Sequence, residues 1–341
     1  MSKLPHNSSS HGWIFWIKAV GVCLFSLYSA AAFYYSTLIS DILRLGLSIV
    51  FPLLVLGVFF FAPARLRRPV IPALCAIFVI WYLTDPPRNH RDWAGEYALP
   101  ADAILTGRTV HIQNIRNFKY KTETDYTPRY YDAEYNLDDL SSVDMITSYW
   151  AGESIAHVFL TFGFKDGRHL AISIETRRQK RFPYSAIAGF FHHYEMFYVT
   201  ADEQDLIGVR TDIRKERVYL YRLFISQQTR ERLFKSYLSE IHFLHSHPRW
   251  YNTLADNCTT EILSRAGAQL HYRLDWRVLL SGYTASLAYD LGLLNTQYDF
   301  PTLKRLSRIQ RPDGATPDAY YSQEIRANLP LEKKPTLSQN K

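Results

Sequence analysis

The stretch "AHVFLTFGFKDGRHLAISIETRR" (156–178) decides how the second half of this chain is read. Side chains alternate along a strand, so Val158, Leu160, Phe162 and Phe164 share one face, and His157, Phe159, Thr161 and Gly163 share the other. In the return segment Leu170, Ile172 and Ile174 alternate with His169, Ala171, Ser173 and Glu175. The two apolar rows must face one core. Placing Phe164 opposite Arg168 does this and leaves a three-residue Lys165-Asp166-Gly167 loop, with glycine at the position that favours left-handed backbone. A two-residue Asp166-Gly167 turn would slip the register by one and turn the isoleucines away from the core. The preferred register sets Phe162 against Leu170, Leu160 against Ile172 and Val158 against Ile174. It also sets His157 directly opposite Glu175, so a histidine and a carboxylate meet on the less apolar face.

Outward from the hairpin the pattern stays mixed. "RTVHIQNIRNFKY" (108–120) and "RYYDAEYNL" (129–137) are rich in β-branched and aromatic residues and read as strands. "SQQTRERLFKSYLSEIHFLHSH" (226–247) has helical spacing, with Ser226 as N-cap and Leu233, Tyr237, Leu238, Ile241 and Leu244 on one face. The expected fold class is α+β, with one domain over 108–310. A linker over 85–107 precedes it, extended where "TDPPRNHRDW" (84–93) pairs two prolines. A polar, proline-containing tail over 311–341 follows and is expected to fray.

Ahead of the linker, residues 1–84 read as a membrane anchor with three apolar runs, 13–35, 42–62 and 70–84. The first two suffice to cross a hydrocarbon layer about 30 Å thick at about 1.5 Å per residue, and the shorter third is read as a further span. The first run is too long for a signal peptide and lacks a small-residue cleavage site. Arg65, Arg67 and Arg68 in the 62–69 loop, against no basic residue in 36–41, predict a cytoplasmic N-terminus. Everything after Asp85 then lies outside, in the periplasm if the membrane is a bacterial inner membrane. With 47% hydrophobic and 15% aromatic residues the chain must fold and bury a core. Its net charge of +7 comes without a basic stripe, finger or helix-turn-helix spacing, which argues against a nucleic-acid partner. A basic face near anionic headgroups accounts for the charge.

Of the three cysteines, Cys23 and Cys75 fall in apolar runs, so Cys258 has no partner for an intramolecular disulfide. "DNCTTEILSRAG" (256–267) reads as a helix start, with Asp256 or Asn257 as N-cap, Ile262 and Leu263 turning inward and Gly267 as the stop. In the first turn, unpaired N–H groups and the helix dipole favour a thiolate. A thiolate near a histidine that a carboxylate orients is the arrangement of a cysteine nucleophile. Cys258, His157 and Glu175 are therefore the candidates, against the blander alternative of a buried thiol and a core histidine. His242, His245 and His247 in "HFLHSH" lack carboxylate support, so no metal is expected, and no phosphate loop or serine elbow calls for a cofactor. Phe190, Phe191, Phe197 and Tyr198 either line an acyl pocket or belong to the core.

The hairpin block, "YVTADEQDLIGVRT" (198–211) and "HPRWYNTLADNCTTEIL" (247–263) together resemble the periplasmic domain of the Lnb-type family of lipoprotein N-acyltransferases, over roughly 108–275. That family resembles circularly permuted papain-like enzymes of the NlpC type, in which the histidine strand precedes the cysteine helix. The resemblance implies Cys258 as nucleophile and His157 as general base; Glu175 as the orienting group follows from the register and from its place in "SIETRR". Arg177, Arg178, Tyr198, Glu203, Arg210, Tyr251, Asn252 and Asn257 lie in matching blocks. Arg177 and Arg178 either grip a phospholipid headgroup through paired donors or pair with Glu203; Asn257 and Tyr251 are oxyanion candidates. The implied activity moves an acyl chain from a membrane phospholipid, through a Cys258 thioester, to the N-terminal amine of a lipoprotein. Phospholipid and lipoprotein are thus the expected partners; the oligomeric state stays open. A cysteine hydrolase acting on cell-wall peptide, or a non-catalytic module binding lipid or protein, would use the same residues differently.

Overall fold

The computed structural model describes residues 12–255, 257–267 and 275–332. Each apolar run forms a helix long enough to cross a membrane: α1 (Gly12–Tyr34), α2 (Asp41–Phe61) and α3 (Ala64–Thr84). The third helix begins at Ala64, not at the start of the apolar run, so the expected 62–69 loop is only a bend. Pro63 holds φ −64° at the N-cap, and alanine, leucine and arginine all favour helix, which a reading by hydropathy ignores. Arg65, Arg67 and Arg68 therefore lie in the opening turns of α3, and Arg67 Nη1 donates to the Phe59 carbonyl at 3.1 Å.

These helices share an aromatic core, in which Phe33 stacks on Trp81 at 4.4 Å and Phe78 meets Phe25 edge-on at 5.3 Å. Two short stretches from far along the chain, 184–195 and 250–252, belong to the same compact unit. Phe191 stacks on Tyr35 at 5.5 Å, and His193 Nδ1 donates to the Tyr35 carbonyl at 2.7 Å. His192 lies between the rings of Tyr82 (4.0 Å) and Trp250 (4.9 Å), and burial pushes its pKa down to about 4. Phe190 and Phe191 thus go with the helices, whereas Phe197 and Tyr198 are buried in the second unit.

The second unit comprises 89–183, 196–249 and the chain from 253 onward. Its strands are β1 (Asp102–Thr106), β2 (Thr109–Arg116), β3 (Lys119–Tyr120), β4 (Tyr126–Thr127), β5 (Tyr130–Asn136), β6 (Leu140–Ala151), β7 (Ile155–Phe164), β8 (His169–Arg177), β9 (Glu195–Asp202) and β10 (Arg217–Arg222). Eight of them form one sheet in the order β1-β2-β9-β8-β7-β6-β10, with β5 also on β2; β3 and β4 make a separate pair. The β7/β8 hairpin has the expected register, Leu160 opposite Ile172 and Phe162 opposite Leu170. The Phe164 N–H donates to the Arg168 carbonyl at 2.9 Å, and Gly167 takes φ +86° in the three-residue turn.

Both faces of the hairpin are covered. The row containing Phe162 packs on α5 (Gln227–Ser246), which follows the one-turn helix α4 (Glu203–Leu206) in the chain, with Phe234 at 4.8 Å and Tyr237 at 5.6 Å. The opposite row, which the sequence marks as less apolar, is buried as well: Phe159 and Ala171 join Ile309, Tyr321 and Ile325 in one core. Each such ring contributes about 2 kcal/mol on burial. The tail expected to fray over 311–341 is packed structure in its described part, up to Glu332, with 333–341 outside the described residues, and the reason is Arg326. Its Nη2 and Nη1 reach Glu203 Oε1 and Oε2 at 2.6 and 2.7 Å, and Nη2 reaches Asp144 Oδ2 at 2.9 Å. Both carboxylates are buried, and buried charges persist only when paired. Fraying would take the arginine from Glu203, leaving it the Thr161 hydroxyl, and would leave Asp144 to Arg222.

One glycine in the same unit has no room for a side chain. A Cβ on Gly282 would overlap the Glu153 carbonyl oxygen and stand 2.8 Å from the Ser154 carbonyl carbon, both backbone atoms that cannot rotate aside. Gly282→Ala is expected to cost about 3 kcal/mol, read as a lowered unfolding temperature of the detergent-solubilised protein.

Candidate active site

Cys258 is the first residue of α6 (Cys258–Arg265) because Asn257 caps that helix. Asn257 Oδ1 accepts the N–H groups of Thr259 and Thr260, each at 2.9 Å, and Thr260 Oγ1 accepts the Asn257 N–H at 2.9 Å. This reciprocal capping box fixes where the helix starts. It also commits the Asn257 carbonyl oxygen to the cap, while its Nδ2 donates to the Thr253 carbonyl at 3.0 Å. The alternative cap, Asp256, lies outside the described residues. Gly267 at φ +69° ends the helix.

The same helix is clamped one turn further on. Arg265 bonds Glu261 Oε2 at 2.9 Å and Glu240 Oε2 on α5 at 3.1 Å, while Tyr198 Oη on β9 donates to Glu261 Oε2 at 3.3 Å. Tyr198 thereby sits behind the nucleophile's helix, holding it to the sheet.

The hairpin supplies the partner. His157 Nε2 lies 3.1 Å from Glu175 Oε1 and 2.6 Å from Ser173 Oγ, and Ser173 Oγ donates to Glu175 Oε1 at 2.7 Å. The serine has one proton and gives it to the carboxylate, so Nε2 must carry the proton of the His157–Ser173 bond. The imidazole lies close enough to the Cys258 thiol for each group to shift the other's titration. Burial alone would lower the His157 pKa; the charge and contact of Glu175 and the neighbouring Cys258 thiol outweigh it and raise the pKa to about 9. Burial opposes a Cys258 thiolate too, but the neighbouring His157 and the backbone at Val158 bring the thiol below its ordinary value. Glu175, despite burial, is held well below the usual carboxylate range by His157 and Arg210. All three shifts favour a thiolate–imidazolium pair.

Two members of this group were not picked out in the sequence. Ser173 was visible in the His169, Ala171, Ser173, Glu175 row, since it shares the face of Glu175 one pleat earlier. Arg210 lay in a matching block without a role. Its Nη2 pairs with Glu175 Oε1 at 3.0 Å, its guanidinium lies 5.0 Å from the centre of the Phe159 ring, and it sits on a π-helical turn (Val209–Ile213). Only the fold brings that turn to the hairpin.

The remaining candidates are engaged by other parts of the fold. Arg177 is buried, donates to the Tyr97 and Ala98 carbonyls and to Asn89 Oδ1, and lies over Trp93 and Phe197. Arg178 reaches Glu96 and the Phe182 carbonyl. Neither pairs with Glu203, which Arg326 and Thr161 occupy, and buried Arg177 is not placed to meet a headgroup. Tyr251 and Asn252 belong to the first unit, where the Tyr251 N–H donates to the Tyr194 carbonyl at 2.9 Å. His242 pairs with Asp102 at 2.8 Å. Among the described residues no three His, Cys, Asp or Glu side chains gather closely enough for a metal.

The charge coupling sets a measurable reactivity. With its thiol held below the ordinary value and His157 titrating at about 9, Cys258 should alkylate faster at neutral pH than an isolated cysteine. In His157→Ala the thiol should return toward about 8.5, and its iodoacetamide rate at pH 6.5 should fall roughly 10- to 100-fold. Mass spectrometry of the Cys258 peptide reads this without interference from Cys23 and Cys75.

Comparison with known proteins places this geometry. Residues 126–282, which include the hairpin, Arg210 and Cys258, match the family described as the Lnb N-terminal periplasmic domain. No curated protein and no solved structure matches the chain.

Proposed function

From a membrane protein with an Lnb-type periplasmic domain, we propose a membrane-anchored cysteine acyltransferase that moves an acyl chain from phospholipid to the N-terminal amine of a lipoprotein. The single observation that carries this reading is Cys258 at the start of a helix packed on the strand of His157, itself tied to Glu175.

The Cys258 thiolate attacks an ester carbonyl of the lipid. Because the Asn257 side chain takes the Thr259 and Thr260 N–H groups, the Cys258 N–H is left to bind the developing oxyanion. The tetrahedral intermediate expels the lysolipid alkoxide, which takes its proton from imidazolium His157, and an acyl thioester remains. Neutral His157 keeps Nε2–H on Ser173 and Glu175 and so presents Nδ1 as the base. It accepts a proton as the lipoprotein's amine attacks the thioester; the thiolate leaves, an amide forms and the ion pair is restored. Arg210 draws on the same carboxylate oxygen as His157, which fixes Glu175 and tempers its pull on the imidazolium.

The cell-envelope setting agrees. With the arginines at the start of α3 on the cytoplasmic side of an inner membrane, the end of α3 at Thr84 emerges where the periplasmic domain begins. Expression in a host lacking its own N-acyltransferase, followed by mass spectrometry of lipoprotein N-termini, tests the proposal. An added acyl mass is expected. Unmodified termini would shift the assignment to hydrolysis, with cell-wall peptides as the next substrates.

A further inference from the structure

Beside the dyad, the second unit shows a group of apolar side chains that its core does not use. Trp150 and Ile155 stand at the end of the β6/β7 hairpin, where the register shifts between Ser148 and Ala151. Trp276 and Leu279 come from the short helix Trp276–Leu279, and Leu280 follows it. Ser281 ties the two sources together: its Oγ donates to the Ala156 carbonyl at 2.6 Å and accepts the Ala156 N–H at 3.1 Å. All five side chains are between 40% and 59% exposed. Ala156 precedes His157, and α6 packs against the Trp276–Leu279 helix, so the patch adjoins Cys258.

We propose that Trp150, Ile155, Trp276, Leu279 and Leu280 form a membrane-docking surface that seats the mouth of the site among the headgroups and upper acyl chains of a bilayer. This rests on the lipid-substrate reading above and adds the surface through which that substrate is met. The occupant follows from the chain itself. Three membrane-length helices precede the domain, and only residues 85–88 separate the end of α3 from Asn89, where the second unit begins. Four residues reach at most about 14 Å when extended, so the domain stays at the bilayer surface. Two half-exposed tryptophans are suited to that surface, since an indole is apolar over its rings and polar at its N–H. Charges at the edge are already paired, Lys304 with Glu153 at 2.8 Å and Arg277 with Asp275 at 2.9 Å, so docking strips water from neither of them unpaired. The ester carbonyls of a phospholipid lie at the depth such side chains reach.

The test uses the full chain in lipid nanodiscs, with and without phospholipid brominated on its acyl chains. The fluorescence component lost in the Trp150→Phe, Trp276→Phe double variant is expected to be quenched by the brominated lipid and protected from aqueous iodide. A component open to iodide and untouched by brominated lipid overturns the proposal. So does one shielded from both, the result if a second copy covers the patch. A Trp276→Asp, Leu279→Asp variant changes only exposed side chains. It is expected to form the Cys258 acyl thioester about tenfold more slowly, with iodoacetamide alkylation of Cys258 within about twofold of wild type. Unchanged thioester formation overturns the proposal. If the wild type forms no thioester but its tryptophans are quenched by brominated lipid, the docking surface stands and the acyl-transfer reading fails.

Discussion

Cys258→Ser is expected to lose N-acylation of lipoprotein termini by at least about 10³-fold while unfolding at the same temperature as wild type. The sulfur is used as an anion, favoured by a histidine whose pKa is raised to about 9 by Glu175 and by the thiol itself. A serine hydroxyl in the same place is far too weak an acid to give its proton to that imidazole in the resting enzyme. The helix cap does not involve the side chain of residue 258, so the fold should be indifferent to the change. Two readouts belong together: the acyl mass on lipoprotein N-termini, and a hydroxylamine-labile acyl adduct on the Cys258 peptide. Wild type should show both and the variant neither. Retention of transfer within tenfold would remove Cys258 from the chemistry.

Arg326→Met should produce the largest loss of stability, about 3–5 kcal/mol. Methionine fills much of the arginine's volume but leaves Glu203 and Asp144 buried without their shared cation. The pH dependence distinguishes this cause from simple loss of packing. In the wild type, burial would raise the Glu203 pKa, but Arg326 overrides it and holds it at about 2. A group with a depressed folded pKa adds stability that is complete above its unfolded value of about 4.3 and fades as pH falls through the folded one. The wild-type unfolding temperature should therefore decline as pH drops from 4 toward 2. Without Arg326, burial dominates and the folded Glu203 binds its proton more tightly than the unfolded chain does. The variant should then gain stability on mild acidification. Parallel pH profiles for the two proteins would refute the electrostatic account.

The parts of this molecule legible in its sequence are those set by neighbours along the chain. Alternation between residues 156 and 178, with Gly167 at the turn, leaves one register that buries both apolar rows, and the juxtaposition of His157 and Glu175 follows from it. The cap at Asn257 and the stop at Gly267 are equally local. The rest depends on partners far away in sequence. Arg326 is some 180 residues from Asp144, and nothing in "YYSQEIRANLP" distinguishes a buried cation from a solvated one. Arg177 looks like an exposed headgroup ligand until Tyr97, Ala98 and Asn89 claim its donors. The start of α3 was missed for the opposite reason, since arginines interrupt an apolar run without interrupting a helix. The pairing of Cys258 with His157, about 100 residues apart, is reached from the sequence through what a lone extracytoplasmic thiol requires chemically and through the family resemblance, not through any local pattern.

The stretches 184–195 and 250–252, which the chain lends to its helical unit, bear on how this protein can be taken apart. Cutting after Thr84 would look like a clean way to obtain a soluble fragment. It would instead strip Phe191 and His193 of Tyr35, and His192 of Tyr82, leaving a clutch of aromatic rings facing water. Such a fragment would aggregate or misreport its own activity, and the loss would be mistaken for a need for lipid. Purification has to begin from the whole chain, and any soluble version requires those two stretches to be redesigned along with the cut.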